Sequence, residues 1–176
     1  MSTIAKVEGV EGADLEPHLP ALASLLHACV HAGASVSFVL PFAREEALAF
    51  WRTRVAPGVW AGTRRLWLAK LGSDVVGTVQ LGLDTPPNQP HRAEVAKLLV
   101  HPARRRLGVA SALMSTLEAE ARALGRSLLT LDTRTGDAAE PLYRARGYVP
   151  VGVIPGYAQA PEGGWYEATT ILYKTL

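Results

Sequence analysis

The chain has 176 residues, with 18 Lys plus Arg against 16 Asp plus Glu, five His, one Cys and 48% hydrophobic residues. That length suits a single domain over residues 1–176, large enough to bury a core without covalent staples. The lone Cys29 excludes a disulfide framework and a cysteine-only metal site, and a formal charge of +2 excludes a surface built throughout for nucleic acid.

Residues 3–8 alternate as a first strand, and Met1–Val10 holds no apolar secretory run. From Pro17 to Ala43 there is no Asp, Glu, Lys or Arg. Pro20, His27, His31, Gly33, Ser35, Ser37 and Pro41 interrupt that stretch too often for a bilayer span of roughly 20 residues. The expectation is a buried helix over 16–31, ended by Gly33, and then a pocket-lining loop. No membrane contact is expected, and the chain reads as cytoplasmic.

Helical periodicity returns at Arg44–Val55, where Ala47, Leu48, Trp51 and Val55 share a face, and Pro57-Gly58 is expected to stop it. Residues 65–71 and 75–81 flank the turn Gly72-Ser73-Asp74 as a β-hairpin. Pro86, Pro87 and Pro90 make an irregular connection to a strand at Glu94–Val100. A helix from Gly108 to about Leu124 presents Val109, Ala112, Leu113, Leu117 and Ala121 on one stripe. Ser127–Thr133 is a strand, and Ala138–Arg146 a short helix with Asp137 and Glu140 as a capping box. Tyr148–Ile154 and Trp165–Tyr173 complete a mixed α/β pattern around one sheet.

Charge is concentrated at Arg104-Arg105-Arg106, between a strand ending at Pro102 and a helix that opens with small residues. A helix N-terminus offers unpaired N–H groups and about half a positive charge, and Gly108 and Ala110 keep its approach free of bulk. The segment therefore suits a pyrophosphate, although a solvated basic turn has the same composition. Three arginines without interleaved aromatics do not form a stacking platform, so no nucleic-acid partner is expected. Neither a Walker loop nor a Gly-x-Gly-x-x-Gly fingerprint is present.

Arg105-x-x-Gly108-x-Ala110, after Leu98-Leu99-Val100-His101-Pro102, resembles the acetyl-CoA signature of the GCN5-related N-acetyltransferases (GNAT). Leu131-Asp132-Thr133 with Ala139-x-x-Leu142-Tyr143-x-x-x-Gly147-Tyr148 is similar to that family's next strand and its tyrosine helix. More narrowly, His31–Phe38, Arg92-Ala93-Glu94 and Ile154-Pro155-Gly156-Tyr157 resemble the tabtoxin-resistance type. Two departures stand out: Arg106 replaces a common Gly, and Leu107 a usual polar residue.

The resemblance implies an α/β (α+β) fold, a single domain with a central, mixed, mostly antiparallel sheet flanked by about four helices. It implies acetyl-CoA as co-substrate, bound by Leu98, Leu99, Val100, Arg105, Arg106, Leu107, Gly108, Val109, Ala110 and Ser111. It also implies Glu94 as general base and Tyr143 as general acid, with a backbone N–H of Leu99 or Val100 polarising the thioester carbonyl at a strand bulge. Asp132 would bind the incoming ammonium or share the base role. Each residue has a plainer reading: Glu94 paired with Arg92 or Lys97, Asp132 holding the Thr133–Gly136 turn, and Tyr143 as a core aromatic.

Ser35, Phe38, Trp51, Tyr157 and Trp165 are the expected acceptor contacts. The expected partner is a small-molecule amine, amino-acid-like or a toxin or antibiotic, and the protein a monomer or homodimer. A protein N-terminal acetyltransferase and a non-catalytic acyl-CoA sensor are the alternatives, with a Pro155–Gly164 loop expected to close a peptide groove. His27-x-Cys29-x-His31 lacks further ligands and reads as helix packing or pocket lining, so no metal is expected. Gly33-Ala-Ser-Val-Ser37 lacks the closing glycine of a nucleophile elbow.

Overall fold

The computed structural model describes residues 5–176. Seven strands form one sheet: β1 (Lys6–Val10), β2 (Arg64–Leu71), β3 (Asp74–Gly82), β4 (Arg92–Val100), β5 (Leu128–Arg134), β6 (Val149–Gln159) and β7 (Tyr166–Thr175). Their order is β1-β2-β3-β4-β5-β7-β6, with only the β4–β5 pair parallel. The first strand, expected over 3–8, starts three residues later and ends two later, at 6–10, and residues 3 and 4 fall outside the described residues.

Alternation along β2 divides the core. Leu66 and Leu68 face one layer, and Trp67 and Ala69 the other. The first layer holds α1 (Leu19–His31) and the continuous helical segment α2 (Arg44–Phe50), a π turn (Trp51–Val55) and α3 (Ala56–Trp60). The second holds α4 (Val109–Ala123) and α5 (Ala139–Ala145). These four helical bodies pack on the two faces of the sheet.

Helix α1 begins after a 3-10 turn at Gly12–His18, and Gly33 follows it in the left-handed region at φ 82°. No described helix is long and apolar enough to cross a membrane. Pro57 does not end its helix as expected. The π turn sends the Ala56 N–H back to the Trp51 carbonyl, and Pro57 then sits in the first turn of α3, where it has no N–H to leave unpaired.

The capping box at Asp137 also differs from expectation. Glu140 accepts a hydrogen bond from the Gly136 N–H at 2.9 Å, while Asp137 turns to Arg134 at 3.5 Å instead of capping the helix. The Glu140 carboxyl is held below its ordinary range by that backbone N–H and by Arg144. The expected Pro155–Gly164 loop is shorter, because β6 continues to Gln159 across a register shift between Ile154 and Ala158.

One buried ionic group ties the second layer together. Glu118 of α4 accepts hydrogen bonds from Arg146 after α5, at 3.1 and 3.0 Å, and from Lys174 of β7, at 2.9 Å. Burial pushes its carboxyl up, but the two cations outweigh that and hold it below its ordinary range.

Candidate active site

The pairing of β4 with β5 runs only from Arg92 to Glu94, which face Leu128–Thr130. Beyond Glu94 the two strands part, and β4 carries a bulge. Thr78 faces Leu99 and Gln80 faces Ala96, so Lys97 and Leu98 together oppose Val79 alone. Lys97 accordingly takes a left-handed backbone, φ 50°. A cleft of about 800 Å³ occupies the opening.

One end of the cleft is the cradle. Val100 and the first turn of α4, Gly108 to Ser111, line it together with Arg105 and Arg106. Gly108 stands at the helix N-cap with φ 77°, a conformation that strains any L side chain. Helix α4 is seated by another glycine. A Cβ on Gly77 would lie 2.8 Å from Val109 Cγ1 and 3.1 Å from the Leu99 carbonyl. Gly77 carries no signal in the sequence, because a glycine inside an apolar strand has no distinctive local pattern.

Arg106 also adopts a left-handed backbone, φ 65°, which explains why glycine is common there. Replacing it, Arg106→Gly, should relieve about 1 kcal/mol of backbone strain, partly offset by glycine's greater chain entropy. The expected result is a thermal midpoint raised by roughly 1–3 °C with several-fold weaker acetyl-CoA binding. Differential scanning calorimetry and titration calorimetry check the two halves separately. A lower midpoint would show that the turn depends on the arginine side chain.

His101 donates its N–H to the Val76 carbonyl at 2.8 Å, fixing which way alternate groups of β4 point. Val100 pairs with Gly77 between two hydrogen-bonded positions, so its N–H turns away from β3 towards the cleft. Of the two expected donors, Leu99 therefore faces β3 and Val100 faces the opening.

Glu94 and Asp132 line the middle of the cleft from β4 and β5. Their neighbours Ala93, Val95 and Leu131 belong to the second core layer, so alternation places both carboxylates on the opposite face. Glu94 forms no ion pair with Arg92 or Lys97. Asp132 accepts a hydrogen bond from Thr169 Oγ1 at 3.1 Å rather than holding the following turn. Tyr143 of α5 reaches the cleft from the second layer, edge-on to Tyr148 with ring centroids 5.6 Å apart. Burial, then Asp137 and Asp132, push its phenol above the ordinary range, so it is neutral at physiological pH.

The other end of the cleft is flanked by the segment after α1, Gly33 to Ser37, and by β6 at Tyr157 and Ala158. Ser35 and Tyr157 line the cleft, and Leu40 donates its N–H to the Pro161 carbonyl at 2.7 Å. Three expected acceptor contacts lie elsewhere. Trp51 is completely buried in the first core layer, against Phe50. Phe38, itself in the 33–41 loop, packs on Phe42 and Phe50 and does not line the cleft. Trp165 is 54% exposed and outside the cleft, as is Leu107 among the expected cofactor contacts.

Lys97 lines the cleft as well, although its sequence context offers only a pairing with Glu94. Its Nζ donates to the Val36 carbonyl at 3.0 Å and to Ser37 Oγ at 2.9 Å, anchoring the loop to the bulge. Burial lowers its pKa, while Asp132 and Glu94 raise it. Arg134 makes a similar tie, donating to the Gly33 carbonyl at 3.1 Å and pairing with Glu167. Cys29 lines the cleft, but burial pushes its thiol up to about 11, leaving it protonated and unreactive. His27 and His31 stack on each other, 4.0 Å between centroids, and no group of three metal-ligating side chains occurs among the described residues.

The Acetyltransferase (GNAT) family model matches residues 23–148. The chain belongs to the GNAT acetyltransferase family. It is 30% identical over 142 residues to an uncharacterized N-acetyltransferase in the hisH-hisA intergenic region of Azospirillum brasilense, covering 79% of each protein. Among solved structures, this GNAT chain superposes on an N-acetyltransferase from Staphylococcus aureus Mu50 with TM-score 0.78, 17% identity and 97% and 98% coverage. It superposes on yncA from Salmonella typhimurium, determined with its cofactor acetyl-CoA, with TM-score 0.75, 18% identity and 98% and 94% coverage. As a GNAT enzyme it is an acetyl-CoA-dependent N-acetyltransferase, and the left-handed Gly108, small helix turn and flanking arginines fit the pyrophosphate of that co-substrate.

Proposed function

We propose that the enzyme acetylates the amine of a small molecule, amino-acid-like or a toxin or antibiotic of the tabtoxin-resistance kind. The observation that carries this reading is the loop tied down beside the cleft. The 33–41 loop, tied by Lys97 and Arg134, meets the β6–β7 tip at Leu40 and Pro161, an arrangement that favours a small acceptor over an extended peptide.

Acetyl-CoA supplies the thioester carbonyl, and the protein's own groups do the rest. Gly108–Ser111, Arg105 and Arg106 hold the phosphates, and Leu98, Leu99 and Val100 run alongside the pantetheine arm. Glu94 takes the proton that the ammonium must lose before attack, and Asp132 holds the cation beside it. The Val100 N–H faces the carbonyl oxygen where negative charge develops. Tyr143, neutral and buried, gives a proton to the departing thiolate. Two carboxylates in one cleft also concentrate cationic amines there.

A thiol-release assay with amino acids, antibiotic amines, polyamines and short peptides tests the reading. Turnover confined to peptides would instead support the protein acetyltransferase alternative. Acetyl-CoA binding with no turnover of any amine would support the sensor. Tyr143→Phe should lower kcat by about 10²-fold, with acetyl-CoA affinity unchanged. An unaltered kcat would remove Tyr143 from the chemistry. Of the two expected assembly states, the exposed β6 edge of Val149, Val151 and Val153 favours the homodimer.

A further inference from the structure

Behind Glu94 lies a second cavity of about 440 Å³, on the same side of the sheet as the cleft's carboxylates. Glu94 lines both spaces, so the two meet at that side chain. The second cavity holds Arg64 from β2 and Arg92 from β4, with Asp84 at the start of the loop after β3. Neither arginine is within ion-pair distance of a described carboxylate.

Arg64 is the more available of the two. Arg92 gives Nε to Gln89 and Nη1 to Thr130, whereas Arg64 gives only Nη1, to Gln80 Oε1. A guanidinium has five N–H donors, so most of those on Arg64 have no protein acceptor among the described residues. Arg64 and Glu94 line the same cavity without a direct bridge; burial lowers the guanidinium's pKa and Glu94 raises it. Gly58 completes the arrangement. A Cβ there would lie 3.1 Å from Arg64 Cβ and 3.4 Å from Nε, so the glycine leaves room for the arginine's stem.

We infer that the acceptor carries a carboxylate as well as its amine, and that Arg64 binds that carboxylate in the cavity behind Glu94. The inference rests on the small-amine reading above and narrows it to zwitterions. With the amine at Glu94 and Asp132, a carboxylate of the same molecule that extends past Glu94 would meet the planar fork of Arg64, which suits two parallel hydrogen bonds. Arg64 touches only the part of the molecule that does not react, which makes it a specificity residue.

Two measurements separate this inference from the activity reading. The first is binding of N-acetylalanine, N-acetylmethionine and N-acetylglutamate, and of their carboxamides, to the CoA-loaded protein by titration calorimetry. Wild type should bind at least one acid ten-fold or more tightly than its amide. Arg64→Gln should abolish that preference while leaving the amide's affinity unchanged, and Arg64→Lys should restore part of it. Gly58→Ala, which displaces the arginine without removing its charge, should weaken the acid several-fold and serves if Arg64→Gln misfolds. The second is kinetics on alanine, methionine and glutamate against their amides, where Arg64→Gln should raise KM for the acids about ten-fold more than for the amides, with any change in kcat common to both.

Equal affinity for acids and amides in wild type, or no binding of either, overturns the inference. An equal loss for acids and amides in Arg64→Gln also overturns it, since that would mark a structural role. Absence of turnover with every amine would overturn the acetyl-transfer reading alone, because the binding comparison needs no turnover.

Discussion

Glu94→Gln is expected to lower kcat/KM by about 10²–10³-fold with acetyl-CoA affinity unchanged, the range typical of a lost general base. The side chain keeps its size and its place on β4, so the cleft's shape is preserved and the loss reports proton transfer. The pH profile provides the sharper reading. Without a base only the free amine attacks, and its fraction rises ten-fold per pH unit below the amine's own pKa. The variant's rate should therefore climb steeply with pH where wild type has begun to level. A variant that keeps wild-type rate and profile would shift the base role to Asp132 or to solvent. Initial rates of thiol release across pH 6–9, with one amine from the panel, settle the matter.

The second large effect concerns stability. Glu118→Gln should cost about 3–5 kcal/mol, because it leaves Arg146 and Lys174 facing a neutral amide in a site from which water is largely excluded. That is a large share of the 5–15 kcal/mol that holds a typical domain together, and corresponds to a midpoint lower by roughly 10 °C. The dependence on pH has a definite sign. The folded-state pKa of Glu118 lies below its unfolded value, so its contribution is complete above about pH 4.5 and is lost as pH falls through the folded value. Urea unfolding at pH 7 should show the full penalty, and unfolding near pH 3 a much smaller one. An identical penalty at both values would assign the effect to packing rather than charge.

How much of this was legible in the sequence depended on the range of the interactions. The turn from His101 to Ala110 could be read because its elements are local: a strand end, a run of arginines, a left-handed glycine and a small-residue helix start. Glu94 and Asp132 were legible through motif and alternation. Trp51 was not, because an aromatic on an apolar helix face has the same spacing whether it meets a core or a ligand. Pro57 misled for a related reason. Its cost depends on whether the preceding turn widens, and the π turn that absorbs it has no pattern of its own. Lys97 and Arg64 were invisible as site residues. One depends on a bulge set by pairing with β3, the other on a strand distant in sequence from Glu94.

Gly77 gives the architecture a common origin. It pairs in register with Val100, and its missing side chain is the seat for Val109 in the first turn of α4. The group proposed to polarise the carbonyl and the cradle for the phosphates are thus measured from one backbone position. A cofactor spanning the two is gauged against a fixed length, and drift at either end would spoil the alignment of both. In this enzyme a residue without a side chain acts as the ruler on which co-substrate geometry is set.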